Sequence, residues 1–402
     1  MKPIISIKGT IPTTLRQVDI QIPGKNLVIV GANGSGKTSF LRGVDTVLRQ
    51  NIANGNIRNR VHFTDAISER LSQIDQITDQ SIIMMHNSVI TEMKDQLEEM
   101  QKPFSIEYHD SNIFINEYKD KHSTVLFFEA SRQSTIIRPQ NAGPSKLDKA
   151  LLIQQGVGGT LEQHLVNLKV RLALTPNDEN RALEINNWFD KFEKDLRYLF
   201  EDESFSMTFE PDEMRFKFHQ DHKATYDMQS LSSGYQAIFS IFSELIMRGE
   251  YLRSTPLDMR GVVIIDEIDV HLHISLQRKI LPFLSASFPN MQFIVSTHSP
   301  FVITSVDDMV IYDISTGEAC DDLSAYSIEA IVEGLLGVPL ISMPLEKLLN
   351  ELVELTTPTS FSVFEAEKII TQLNPHRHQL DPEASMILEI ALNKVLKAKA
   401  DN

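Results

Sequence analysis

Short apolar runs open the chain. Ile4–Ile7 and Val18–Ile22 read as strands, and Asn26–Val30 runs without a polar break into a glycine-rich turn. Beyond the turn, Phe40, Leu41, Val44 and Leu48 recur at helical spacing through 38–50. Between Thr64 and Gln101 the apolar positions Ile67, Leu71, Ile74, Ile77, Val89, Met93, Leu97 and Met100 predict one or two amphipathic helices, which Pro103 stops. The period then shortens, and Phe104–Tyr108, Ile113–Ile115 and Thr124–Phe128 read as strands. A Pro/Gly-bearing link at Asn141–Ser145 leads to a second helical stretch, Leu161–Phe200, broken near Pro176, with Trp188 expected in its core.

Further along, Met207–Phe209 and Met214–Phe218 predict a hairpin turning at Pro211 and Asp212, and Gln236–Ile246 predicts a helix. Two apolar strands, Val262–Ile265 and Gln292–Val295, flank the helical Leu276–Leu284. That β-α-β order implies a parallel sheet. From Ser324 onward the pattern is mostly helical. The expected fold class is α/β: a discontinuous head over 1–322, with helical insertions at about 64–103 and 145–200, then a helical C-terminal region, 323–402. That region reads either as a subdomain or as a lid on the sheet.

Composition narrows the function classes. With 38 Lys+Arg against 54 Asp+Glu the formal charge is −16, so DNA would have to meet a local basic patch or a partner. Only Arg58 with Arg60, and Arg377 between His376 and His378, form modest basic clusters. The single cysteine, Cys320, suits a reducing compartment. The Pro3–Ile7 run is shorter than a signal-peptide core, and no apolar run reaches the roughly 20 residues that span a bilayer. A cytoplasmic protein without membrane contact is expected.

The chemistry concentrates at strand ends. Gly31 to Thr38 fits G-x-x-x-x-G-K-[ST], between a buried strand and a helix start. In such a loop the backbone N–H groups of Asn33, Gly34, Ser35, Gly36, Lys37, Thr38 and Ser39 curl around phosphates. Lys37 reaches the terminal phosphates of ATP, and the Thr38 hydroxyl ligates Mg²⁺. Val262–Ile265 ends in Asp266 and Glu267, which puts two carboxylates at the carboxyl edge of the sheet where ligands of open α/β folds bind. Asp266 suits Mg²⁺, and Glu267 suits the general base that polarises the attacking water.

Between these motifs, Leu231–Gln236 carries Ser232, Ser233 and Gly234 before a helix, and together with its neighbours it resembles the signature of ABC-type ATPases. That resemblance implies that Ser232 and Gly234 of one subunit bind the γ-phosphate held by another. Tyr235 stands where Gln or Glu is usual. Ser296–Pro300 resembles the switch segment of the same superfamily, which implies that His298 contacts the γ-phosphate. Asp269–His273 resembles the dimer-contacting loop of the RecF, Rad50 and OLD-like branch, and Gln133 matches the polar residue that the family uses toward nucleotide and metal. The His271/His273 pair shows no third metal ligand nearby.

The ordered motifs, and the sequence around 231–242 and 264–301, resemble the stand-alone ABC-type ATPases of bacterial phage defence, exemplified by the ATPase subunits of the Septu and PARIS systems. This implies an ABC-type head, ATP and Mg²⁺ as cofactors, at least a homodimer, and a partner effector such as a nuclease. Nucleic acid would be met through the complex. OLD proteins carry a nuclease after the last ATPase motif. Here Val332–Gly334 lacks both the preceding strand and a following Asp-x-Asp, so no nuclease in cis is expected. The alternatives are a RecF-like repair ATPase that binds DNA directly and a nucleotide-binding scaffold that cages a toxic partner.

Overall fold

The computed structural model describes residues 2–53, 56–74, 76–77, 79–100, 102–132, 136–139, 156–321, 323, 326–337, 341–357 and 362–400. It divides into two compact units, 1–328 and 329–402.

The first unit opens with β1 (Ile4–Thr10), β2 (Gln17–Gln21) and β3 (Asn26–Val30), followed by α1 (Lys37–Ala53). α2 (Asn56–Ile74) and α3 (Gln80–Met100) form a helical hairpin that returns the chain to β4 (Phe104–Tyr108). α4 (Ser111–Lys119), β5 (Ser123–Phe128), α5 (Leu161–Leu174) and α6 (Glu179–Phe200) follow. The chain then forms β6 (Ser206–Glu210), β7 (Arg215–His219) and the short β8 (Tyr226–Asp227), an antiparallel sheet in that order. α7 (Ser233–Leu252), β9 (Arg260–Ile265), α8 (Ile274–Ser287), β10 (Met291–Ser296), α9 (Pro300–Ile303), β11 (Met309–Asp313) and β12 (Glu318–Asp321) complete it.

The central sheet runs β12-β11-β3-β10-β9-β5, parallel except for the antiparallel edge strand β12. Its inner strands are apolar at nearly every position, as strands covered on both faces must be. A second sheet, β2-β1-β4, is antiparallel throughout. Phe40, Leu41, Val44 and Leu48 of α1 share one core with Ile7 and Phe104 on the antiparallel side and Ile264 and Ile294 on the parallel side. The helix that carries the glycine-rich turn is therefore wedged between two sheets, which fixes its N-terminus.

The α/β expectation holds, a mixed sheet with flanking helices and a helical C-terminal region. Two local expectations do not. Ile113–Ile115 is not a strand but lies inside α4, because the Asp110 side chain accepts from the Ile113 N–H (2.9 Å) and caps the helix. Phe114 and Ile115 are buried while Ile113 faces out, so a run of three apolar residues conceals a one-sided helix. β11 and β12 were not expected at all, and β11 lies directly beside β3.

α10 (Ile328–Gly334) begins at the last residue of the first unit, and in the second unit α11 (Met343–Leu355), α12 (Val363–Leu373) and α13 (Pro382–Ala400) form a bundle. Leu352, Ile369, Leu373, Leu388 and Val395 supply the bundle's core. Among the described residues no helix is long and apolar enough to cross a membrane.

Candidate functional site

β3 delivers the chain to the glycine-rich loop at the carboxyl edge of the parallel sheet, and α1 begins at Lys37. Gly31, Gly34 and Gly36 all take positive φ. At Gly31 (φ +141°) a Cβ would fall 2.7 Å from Ser315 Oγ, so the position requires glycine. The loop is braced from outside: the Ala32 N–H donates to Ser315 Oγ (2.9 Å), and Arg16 donates to the carbonyls of Ile314 (3.1 Å) and Ser315 (2.6 Å). Lys37 is buried and its Nζ donates to the carbonyls of Gly31 (2.9 Å) and Ala32 (3.1 Å). Burial pulls its pKa down, while Glu267, Asp266, Asp313 and Asp269, in that order, pull it up. The net charge around the ammonium is therefore negative, while its hydrogen bonds go to carbonyls.

The strand β9 brings Asp266 and Glu267 to the same edge. Asp266 is buried, and its carboxylate accepts from Ser296 Oγ (2.6 Å) at the end of β10. Ser296 Oγ also accepts the Glu267 N–H (2.7 Å), so one hydroxyl registers both acids. Glu267 takes φ +46°, a left-handed backbone uncommon for a residue with a side chain. Thr297 donates from its hydroxyl to Asp269, tying the turn after β9 to the segment after β10. His298 is half-buried, and burial and the charge of Lys37 lower its pKa, with Asp269 and Glu267 opposing. The net effect favours the neutral imidazole.

Asn33, Gly34, Gly36, Lys37, Thr38 and Ser39 line one cleft with Glu267 and His298, about 690 Å³ in volume. That is the size range of small-molecule sites. Ser35 is buried behind the loop, with its hydroxyl lacking a hydrogen-bond partner among the described residues. A cradle of glycine N–H groups, a helix N-terminus, a buried ammonium and a threonine hydroxyl line the cleft with Glu267, and the buried Asp266 carboxylate precedes it in the chain; this donor set suits a triphosphate and a hard divalent cation.

Ser232, Ser233 and Gly234 are not among the residues lining that cleft. They sit at the start of α7, where Ser232 is the N-cap residue but its side chain makes no capping bond. Ser232 and Ser233 are exposed, and Gly234 packs against the His271 carbonyl, so the signature adjoins the Asp269–His273 loop. His273 caps α8 through Nδ1, accepting from the Ser275 N–H, which gives it a structural task. Gln133 lies outside the described residues.

Sequence reasoning missed several neighbours. Arg132 donates to the carbonyls of Asp266 and Glu267 (2.8 Å each). Asp313 ends the unexpected β11 and Ser315 follows it, and the run Met309–Tyr312 between Asp307–Asp308 and Thr316–Gly317 was the signal available for the strand.

Residues 27–304 match the AAA_21 family, described as "AAA domain, putative AbiEii toxin, Type IV TA system". The chain belongs to this family. It carries an ATPase domain, and the cleft lined by Lys37 and Glu267 falls inside the matched span. The AAA_21 chain is 31% identical to the "Retron Ec83 probable ATPase" of Escherichia coli over 172 residues, 40% of this chain and 31% of that protein. It is 27% identical to the Septu protein PtuA of Bacillus mycoides (strain KBAB4) over 285 residues, 70% of this chain and 35% of that protein. The matches span about a third of the length of these relatives. The SMC head domain from Thermotoga maritima is similar at 12% identity and a TM-score of 0.37, over 80% of this chain and 98% of that one.

Proposed function

We propose that this chain is a Mg²⁺-dependent, ATP-hydrolysing switch subunit of a bacterial antiviral defence complex. Two copies would close on nucleotide through composite sites and control a partner effector, such as a nuclease, in trans. One observation carries the reading: Lys37, Glu267 and His298 share a cleft, while the start of α7, with Ser232 and Ser233 exposed, is not part of it. A second copy would supply the signature to the first copy's nucleotide. The names of the retron and Septu relatives support the defence setting.

Within the cleft, the loop N–H groups and Lys37 would hold the β- and γ-phosphates, the Lys37 amine exchanging its carbonyl partners for phosphate oxygens. Thr38 and Asp266 would hold Mg²⁺, with phosphate oxygens and water as the remaining ligands, and Gln133 would contribute toward metal and nucleotide. Bound Mg²⁺ neutralises phosphate charge as it builds on the leaving oxygen. Glu267 would take the proton of the attacking water as its oxygen bonds to the γ-phosphorus and the bond to the bridging oxygen breaks. His298, uncharged, would hydrogen-bond the γ-phosphate, and Ser232, Ser233 and Gly234 of the partner copy would close the far side.

The test is phosphate release by the purified chain with Mg²⁺ and ATP. Glu267→Gln should keep nucleotide binding and lose turnover by about 10²-fold or more, the usual scale for removing a general base. Undiminished hydrolysis by the variant would remove Glu267 from its role. A wild-type chain that binds ATP without turning it over would favour the scaffold alternative.

A further inference from the structure

Glu267 occupies a backbone conformation that costs a non-glycine residue about 1 kcal/mol or more, so the surroundings must hold it there. The holding groups lie on both sides of the Asp266–Glu267 segment. On one side Ser296 Oγ accepts the Glu267 N–H. On the other, a single guanidinium spans two successive carbonyls, Arg132 NH1 to Asp266 O and NH2 to Glu267 O, both at 2.8 Å. NH1 also donates to Glu129 O (3.1 Å), which braces the arginine against its own loop.

The loop has a reason to be there. β5 pairs in parallel with β9, Phe128 beside Ile265, and the Asp266 N–H donates to the Phe128 carbonyl (2.9 Å), so the two chains leave the sheet together. One residue on, the Glu129 carboxylate takes Arg42 of α1 (3.2 Å), and Arg42 lines the nucleotide cleft. Four residues, 129–132, thus connect the α1 side of the cleft to the backbone of Glu267. Arg132 is not a phosphate ligand in this arrangement, because its NH1 and NH2 bonds go to carbonyls. Its Nε is buried and has no hydrogen-bond partner among the described residues, a cost that a surface arginine would not bear.

We infer that Arg132 is a positioning residue for hydrolysis: its fork locks the carbonyls of Asp266 and Glu267 and so fixes the direction in which the Glu267 carboxylate enters the cleft. The inference rests on Glu267 acting as the general base. A lysine cannot reproduce it, since an ammonium is a point donor and the two carbonyls need a planar fork. Burial lowers the Arg132 pKa to about 10, which leaves it charged under working conditions.

The experiment compares wild type, Arg132→Ala, Arg132→Lys and Glu267→Gln in melting temperature, ATP affinity, KM and kcat. Both Arg132 variants should bind ATP and show KM within about threefold of wild type, with kcat lowered on the order of 10²-fold, the loss expected when a reacting group is displaced by about 1 Å. A millimolar alkylguanidine should restore part of kcat in Arg132→Ala and none in Glu267→Gln. Wild-type kcat in Arg132→Lys would overturn the inference, and so would a parallel loss of ATP affinity and kcat with no guanidine rescue. If Arg132→Ala fails to fold, Arg132→Lys alone decides. If Glu267→Gln keeps its turnover, the reading of the base has failed; if Glu267→Gln is inactive while the Arg132 variants are unimpaired, only the clamp has failed.

Discussion

His164 lies on α5 with its ring edge-on to Trp188, centroids 5.8 Å apart, and burial, aided by the charge of Arg171, lowers its pKa to about 4. Its Nε2 stands 3.7 Å from Glu250 Oε2, the spacing of an ion pair. Burial raises the Glu250 carboxyl too, so both groups are pushed away from their charged forms and the contact is not an ion pair at pH 7. The unfolded imidazole titrates near 6.5, so between pH 6.5 and 4 the unfolded chain binds the extra proton. Stability from this residue is whole above pH 6.5 and falls by on the order of 3 kcal/mol as pH approaches 4. His164→Phe should unfold with a shallower acid slope than wild type over that range, and superimposable slopes would contradict the assignment. At this scale the phosphate loop, Asp266, Glu267 and His298 were legible, because each sits at a fixed offset from a buried strand. Arg132 was not, because its partners are main-chain carbonyls 134 and 135 residues away that leave no side-chain pattern.

Among the elements, β3, β5, β9 and β10 announced themselves by unbroken apolar runs, and the hairpin β6–β7 by its turn residues. β11 escaped notice because five residues among Ser and Asp carry little signal alone, and its evidence is tertiary: it completes the sheet beside β3 and places Asp313 and Ser315 behind the loop. α4 was misread because three adjacent apolar residues do not separate a strand from a helix, and the Asp110 cap decides. β5 and β9 approach closely at one point, where Gly261 opposes Thr124 at φ +133° and a Cβ would fall 1.9 Å from the Thr124 carbonyl oxygen. Gly261→Ala must therefore part the two strands, with an expected loss of about 3 kcal/mol or more in urea unfolding. Because β5 leads to Arg132 and β9 to Glu267, hydrolysis should fall with it. An unchanged midpoint would show that the strands do not approach this closely.

For the whole molecule, the charge of −16 bears on the proposed composite site. Two acidic copies repel, so closure needs a bridging ligand, and nucleotide held by Lys37 on one side and by Ser232 on the other would supply one. In that account ATP joins the subunits and hydrolysis at Glu267 releases them, which is how nucleotide state would reach an effector. The most direct measurement is the solution mass of Glu267→Gln, with and without Mg²⁺ and ATP, beside the same protein carrying Ser232→Arg. The expected result is a doubling of mass on ATP addition in Glu267→Gln, and retained ATP binding without doubling when Ser232 is also replaced. An ATP-bound Glu267→Gln protein that stays monomeric, or one that dimerises equally well with arginine at position 232, would contradict the shared pocket.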